Sequence, residues 1–423
     1  MAREQVSRRN FLKGTSVLAG AAAGTVAGAT LAPAAATAAA KGSGGNAPDA
    51  LASAFLDDAV VTFDAPHQAG VETPGQAVLN LVAFNLLPGK NTKEDVARLM
   101  RVWTEDARRL TSGVAPMGDL EPELTWSTAN LTITCGFGAS LLDKIGLQDK
   151  KPAWLKPIKA FSRDKLEPQW GEADIVLQVC ADDPLTLSHA TRHMMRAAQV
   201  YATTFWMQSG FLNAKGAIAQ GATPRNLFGF IDGTVNPSTP EDYNSQVWLS
   251  ETDSDQDWMV GGTCMVVRRI YQDMEEWDKL DLLSRNLVFG RDQTTGAPLS
   301  GGDEKTDADY KKTDDTGLPV IDPNSHMAKS ANSMLHGPDQ FRRRAYNYDL
   351  APAPGQTFKS NQGLIFICFQ KDPIAQFTTI QDRLDAGDRL NQWITHIGSA
   401  VFAILPGTGE GRDTYWGQSL LEA

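Results

Sequence analysis

Arg225-Asn-Leu-Phe-Gly-Phe-Ile-Asp-Gly-Thr-Val-Asn-Pro237 stands near the middle of a chain of 423 residues. Its Asp232-Gly233 pair reads first as a turn. The neighbours Leu227, Phe228, Phe230 and Ile231 are apolar, which sets the Asp232 carboxylate at the rim of a dry cavity. Just before it, a Gly- and Asn-rich crossing at about residues 213–226 separates two stretches in which strands and helices alternate. Ahead of the crossing, apolar or alternating runs at 76–86, 131–136 and 174–181 read as strands; beyond it, so do 262–270, 363–369 and 399–405. Thr92-Lys-Glu-Asp95 opens a helix towards Leu110 in the manner of a capping box. Asp183-Pro184 opens another, with Leu187, Ala190, Met194, Ala197 and Tyr201 on one face. The expected fold is α+β, two units with mainly antiparallel sheets spanning 54–215 and 216–423. The run 292–317, crowded with Asp, Lys, Gly and Thr, reads as a long exposed loop.

Composition sets the outer limits. With 42% hydrophobic and 21% charged residues the chain is of ordinary globular make-up, and its net charge is −11. That charge is unevenly spread: in residues 1–40, four cations (Arg3, Arg8, Arg9, Lys13) face only Glu4, which gives +3 and leaves −14 for the rest. A body this acidic has no electrostatic affinity for nucleic acid or an anionic membrane. Ser7-Arg-Arg-Asn-Phe-Leu-Lys13 is followed by 27 uncharged residues ending in Ala38-Ala-Ala40, the make-up of a cleavable export leader. The arginine pair resembles the address read by the twin-arginine translocation machinery, which implies an extracellular, cell-surface or periplasmic destination without stable membrane insertion after cleavage. A membrane anchor is the other reading of this span. Residues 41–53, rich in Gly, Ser and Ala, read as a flexible linker.

Few side chains offer chemistry. Cys135, Cys180, Cys264 and Cys368 lie far apart in apolar runs and read as buried free thiols. His189 and His193 have the i,i+4 spacing of metal ligands but no third partner in the sequence. His67 and His336 read as solvent-facing, and His396 as a satisfied core residue. Asp322-Pro-Asn-Ser-His326 differs, because it is a turn that delivers a histidine to the start of a short helix. Leu405-Pro-Gly-Thr-Gly409 matches a sorting pattern but lacks the apolar span and basic tail that cell-wall anchoring needs, so it reads as a turn after a strand. In Arg342-Arg-Arg-Ala-Tyr-Asn-Tyr348, any arginine pointing inward needs an anion or a carboxylate.

Gly229-Phe-Ile-Asp-Gly233 resembles the GxxDG motif of dye-decolourising (DyP-type) haem peroxidases. The order of the later motifs is similar to that family too: Gly261-Gly-Thr-Cys-Met-Val-Val-Arg-Arg269, Glu275-Glu-Trp-Asp278, Gly296-Ala-Pro298, His326, Arg343-Arg-Ala-Tyr-Asn-Tyr348 and Leu364-Ile-Phe-Ile-Cys-Phe369. The resemblance implies two ferredoxin-like units with one haem b in the second. It implies His326 as the axial ligand of the haem iron, Asp232 as the distal acid-base residue and Arg343 as the distal arginine. Ile231, Gly233 and Thr234 would border the cofactor, and Leu364 and Phe366 would wall the peroxide pocket. Asp388 would accept the second ring N–H of His326, with Asp382 and Asp385 as nearby alternatives. Arg342 or Arg344 replaces Arg343 if the register slips by one. Ala328 stands where some members carry an arginine.

The residue types suit the implied reaction with hydrogen peroxide and small-molecule electron donors. A carboxylate shuttles a proton if it starts ionised, and aspartate remains a base in acid where a histidine is already protonated. A permanent guanidinium charge stabilises the negative charge that develops as the O–O bond breaks. Activity is therefore expected to peak at mildly acidic pH. Iron release from haem, as in deferrochelatases of the exported branch, and haem carriage without turnover are the alternatives.

Overall fold

Alternate residues of the apolar strands go to opposite sides of a single sheet, and that sheet closes on itself. In the computed structural model, residues 56, 59–219, 221–331, 340–352, 355, 359–409 and 413–423 are described. The expected leader and linker, and His336, lie outside them. Nine strands are found among the described residues: β1 (Val78–Leu86), β2 (Thr132–Gly138), β3 (Ile175–Ala181), β4 (Ala202–Phe211), β5 (Thr263–Gln272), β6 (Arg342–Arg343), β7 (Tyr346–Leu350), β8 (Asn361–Gln370) and β9 (Ile394–Ile404).

The first half has the spatial order β4-β1-β3-β2 and the second β9-β5-β8-β7, the same βαββαβ pattern twice. Each is a ferredoxin-like unit with every pairing antiparallel. They do not stand apart. β2 pairs with β9 and β4 meets β7 at Phe211–Asn347, so eight strands form a closed barrel. Closure removes the sheet edges.

Leu79, Leu81 and Ala83 of β1 point inside, among Tyr346, Ile365, Phe369 and Phe402. Val82 and Phe84 point outside, where Leu99, Met100 and Trp103 of the helix Lys93–Thr111 cover them. That helix starts on Thr92, whose hydroxyl accepts from Asp95 N–H at 3.1 Å. The helix Pro184–Ala198 starts likewise on Asp183, which accepts from Thr186 N–H at 2.7 Å.

Strand β4 was not legible in the sequence because its polarity is inverted. Phe205, Met207 and Phe211 lie on its exposed side, while Trp206, Gln208 and Gly210 face inward. Gly210 is needed there, since a Cβ would stand 2.7 Å from Ile365 Cδ1 and 2.8 Å from Tyr346 Cβ. The crossover between β5 and β7 is long and carries the helices Leu282–Phe289 and His326–Ser330.

Two other expectations change. His67 is not solvent-facing: it stacks on Trp248 at 4.0 Å and its Nδ1 pairs with the Gly261 carbonyl at 2.7 Å. The run 292–317 is not exposed throughout, because Gly296, Ala297 and Pro298 are buried. The four cysteines are buried and free.

Candidate functional site

His326 opens the helix His326–Ser330 because Ser325 caps it, with its hydroxyl accepting from Ala328 N–H at 3.4 Å. The imidazole Nδ1 meets Asp388 Oδ2 at 2.6 Å. Asp388 caps the following short turn, its Oδ1 accepting from Leu390 N–H at 2.8 Å, and its side chain is 1% exposed. Both oxygens are thus committed, and the carboxylate fixes the ring orientation and leaves the proton on Nδ1. Arg389 N–H donates to Asn324 O at 2.9 Å, tying the two loops together. The neighbouring acids are occupied elsewhere: Asp382 pairs with Lys159 and Asp385 accepts from Ser162.

The His326 side chain is 30% exposed, and its Nε2 has no partner among the described residues. Phe289 stands edge-on at 5.8 Å and itself stacks on Phe230 at 3.8 Å. Burial opposes protonation of His326, but the Asp388 carboxylate, with Asp232 beyond it, outweighs burial and raises its pKa above the ordinary value; Arg343 pulls the other way. Asp232 and Arg343 therefore lie within electrostatic reach of the imidazole.

Asp232 Oδ1 accepts from Arg343 Nη1 at 3.1 Å, and Asn226 Nδ2 donates to Asp232 Oδ2 at 3.4 Å. The two charged side chains are 23% and 29% exposed. Gly229 and Gly233 have φ of +86° and +121°, left-handed values that glycine adopts freely. Arg343 is anchored by its backbone: Asn236 accepts from its N–H at 2.9 Å and donates to its carbonyl at 3.0 Å. Asn226 and Asn236 were missed in the sequence.

The arginine run divides by strand alternation. Arg343 pairs in register with Cys368 of β8, which puts it on the sheet face that also carries Phe366 and Leu364, both partly exposed. Phe366 packs with Phe341 and Phe377 at 6.3 and 6.0 Å. Arg344 is 3% exposed and donates to Cys180 Sγ at 3.2 Å and to Gln76 Oε1. Arg342 Nε reaches the Val71 carbonyl at 3.4 Å. Of the three, Arg343 meets Asp232. Ile231, Gly233 and Thr234 flank that carboxylate in the same partly exposed segment.

The other described histidines are held by protein partners. His189 pairs with Asp119 at 3.0 Å and His193 with Asp106 at 2.9 Å, and no group of three or more metal-ligating side chains occurs among the described residues. His396 is buried beside Arg268, as expected of a core histidine.

Residues fit a haem on one specific ground: a partly exposed imidazole whose Nδ1 is committed to a buried carboxylate presents Nε2 as a metal ligand, with a carboxylate–guanidinium pair nearby. Comparison with known proteins shows the family. Residues 68–212 match the family model described as Dyp-type peroxidase, N-terminal, and residues 223–409 match Dyp-type peroxidase, C-terminal. A dye-decolorizing peroxidase from Thermobifida fusca is 35% identical over 439 residues, covering 99% of this chain and 98% of the relative. A deferrochelatase from Yersinia pestis is 35% identical over 382 residues, 85% of each chain. The crystal structure of a DyP-type peroxidase from Cellulomonas bogoriensis superposes with a TM-score of 0.82 at 43% identity, over 87% of this chain and 100% of that one.

Proposed function

The chain belongs to the Dyp-type peroxidase family, and from that premise we propose that it binds one haem b per chain and oxidises phenolic or dye-like donors with hydrogen peroxide. In this reading His326 ligates the iron, Asp232 is the acid-base residue and Arg343 its cationic partner. The haem, when bound, supplies the redox chemistry that draws oxidising equivalents from peroxide. The observation that carries the reading is the pairing of two dyads, His326–Asp388 and Asp232–Arg343, within electrostatic reach of each other.

Asp388 Oδ2 accepts the Nδ1 proton of His326, so the Nε2 lone pair is free for a metal and more basic for the contact. With haem held by His326, Asp232 would take a proton from one peroxide oxygen and return it to the other, which would leave as water, while the haem would supply the redox chemistry for the oxygen that remains. Arg343, permanently charged, stabilises the negative charge on the departing oxygen. Leu364 and Phe366 would exclude water, and Ile231, Gly233 and Thr234, all partly exposed, would border the cofactor.

The test is spectroscopic. Haem added to the purified protein is expected to give a stable histidine-ligated spectrum that changes on mixing with stoichiometric peroxide. D232N and R343L should keep the first and slow the second; a protein that takes up no haem refutes the reading. A second reading, release of iron from haem, is favoured by the relatives named deferrochelatase. Iron-free porphyrin among the products would support it.

We also propose export by the twin-arginine machinery, on the strength of Arg8-Arg9 and the uncharged run after them. A reporter fused behind residues 1–53 should leave the cytoplasm, and R8K/R9K should retain it.

A further inference from the structure

A single carboxylate oxygen ties together the two ends of the segment that carries Asp232. Glu304 Oε1 accepts from Thr223 Oγ1 at 2.7 Å and from Thr234 Oγ1 at 3.1 Å. Thr223 precedes Asp232 and Thr234 follows it, so this acceptor spans a strap that is also closed from within, where Asn226 N–H donates to the Phe230 carbonyl and Asp232 N–H to the Pro224 carbonyl, both at 2.9 Å. Glu304 is itself held: Arg291 Nη1 donates to its carbonyl at 2.9 Å and to the Gly296 carbonyl at 2.7 Å. Gly296 lies against the strap, since a Cβ there would stand 2.6 Å from Ile231 Cδ1 and 3.2 Å from Glu304 Cγ.

The Asp232 backbone is held by its N–H bond to the Pro224 carbonyl at 2.9 Å, but its carboxylate is held loosely: the contacts, 3.1 Å to Arg343 and 3.4 Å to Asn226, are at or beyond the long end of the hydrogen-bond range, and the side chain is partly exposed. The tie to Glu304 is tighter, at 2.7 Å from Thr223 Oγ1. We propose that Glu304 is a positioning residue for Asp232, acting through Thr223 and Thr234 to hold the strap at the distance from Arg343 that proton transfer requires. This rests on the reading of Asp232 as the acid-base residue.

The test uses E304A, E304Q and T223V/T234V. Gln keeps the accepting oxygen, whereas Ala removes it and the double variant removes both donors without touching Glu304. Amide hydrogen exchange across residues 225–234 of the haem-free protein should quicken roughly tenfold in E304A and in the double variant, and stay near wild type in E304Q. In the haem-loaded proteins, the second-order rate with peroxide should fall about tenfold in E304A and stay near wild type in E304Q, with haem affinity and the resting spectrum of both unchanged. Unchanged strap protection in E304A and the double variant, with normal wild-type turnover, overturns the positioning role. An E304Q loss equal to that of E304A also overturns it, because charge and not the staple would then matter. A wild type that binds haem but does not react with peroxide overturns the reading of Asp232 and the proposal with it.

Discussion

Replacing Asp388 by asparagine changes one atom of the His326 support and reverses its hydrogen-bond logic. The Oδ1 cap on Leu390 N–H can persist, because asparagine keeps one carbonyl oxygen. The other position, 2.6 Å from His326 Nδ1, becomes an NH2 donor. A neutral imidazole beside it must then accept at Nδ1 and carry its proton on Nε2, the nitrogen required for the iron. Loss of such outer support costs roughly 10- to 100-fold in metal affinity, or about 1.4 to 2.7 kcal/mol. Burial sharpens the effect, since Asp388 is 1% exposed and water has little access to substitute for the lost acceptor. The assay is a haem titration of the haem-free protein followed in the Soret band, with nitrogen NMR of the imidazole to assign the tautomer. D388N with wild-type affinity and an unchanged proton position would refute the reasoning. D388A serves as the comparison, because it removes the cap as well and should also lower thermal stability.

Haem affinity should itself depend on pH. The pKa of His326 is raised in the haem-free protein, so its proton must be displaced on ligation; affinity falls about tenfold per unit as pH drops below that raised value and levels off above it, measured by titration at several pH values. R343L should slow the peroxide reaction by roughly 100- to 1,000-fold while shifting stability by less than about 1 kcal/mol, since the Asn236 bonds to its backbone remain. R344M should do the opposite, losing roughly 3 kcal/mol in denaturant unfolding because Cys180 and Gln76 lose a buried partner, with little direct effect on peroxide. Burial, aided by repulsion from Arg268, pushes His396 down to about 3. Its neutral form contributes stability that is complete above pH 6.5 and lost as pH falls towards 3, up to about 5 kcal/mol; H396Q should flatten that part of the acid unfolding curve.

Strands with a uniform apolar run, such as β3 and β5, were legible because both of their faces are buried. β4 and β7 were not, since Phe205 and Met207 face outward while Tyr346 and Tyr348 fill the barrel. Barrel closure had no local signal: β2 and β9 pair through only three residues across most of the chain. The candidate site was legible where a motif offers a single residue of the fitting type, as with Asp232 and His326, which the fold sets against Arg343 and Asp388. Its support was not. Asp388 lies 62 residues from His326 and shares its neighbourhood with two other aspartates. Glu304 sits among Asp303, Asp307 and Asp309, and composition alone cannot say which acid turns inward. The choice among three arginines needed the register of β6 on β8, a non-local fact.

Closure of the barrel also bears on how the chain is made. Gln68 donates to the carbonyl of Leu405, 337 residues later, and β9 supplies the partner for β2 at one side and β5 at the other. During synthesis the N-terminal half emerges with its β2 edge unpaired, and that edge stays open until the last strand has left the ribosome. Contacts of such sequence separation fold slowly, and open edges invite pairing with other chains. The completed protein is a molecule with no free end to its barrel, but every copy passes through a stage in which it is a sticky half-sheet. A chain cut before Ile394 would be held at that stage, with aggregation rather than weakened activity as its phenotype.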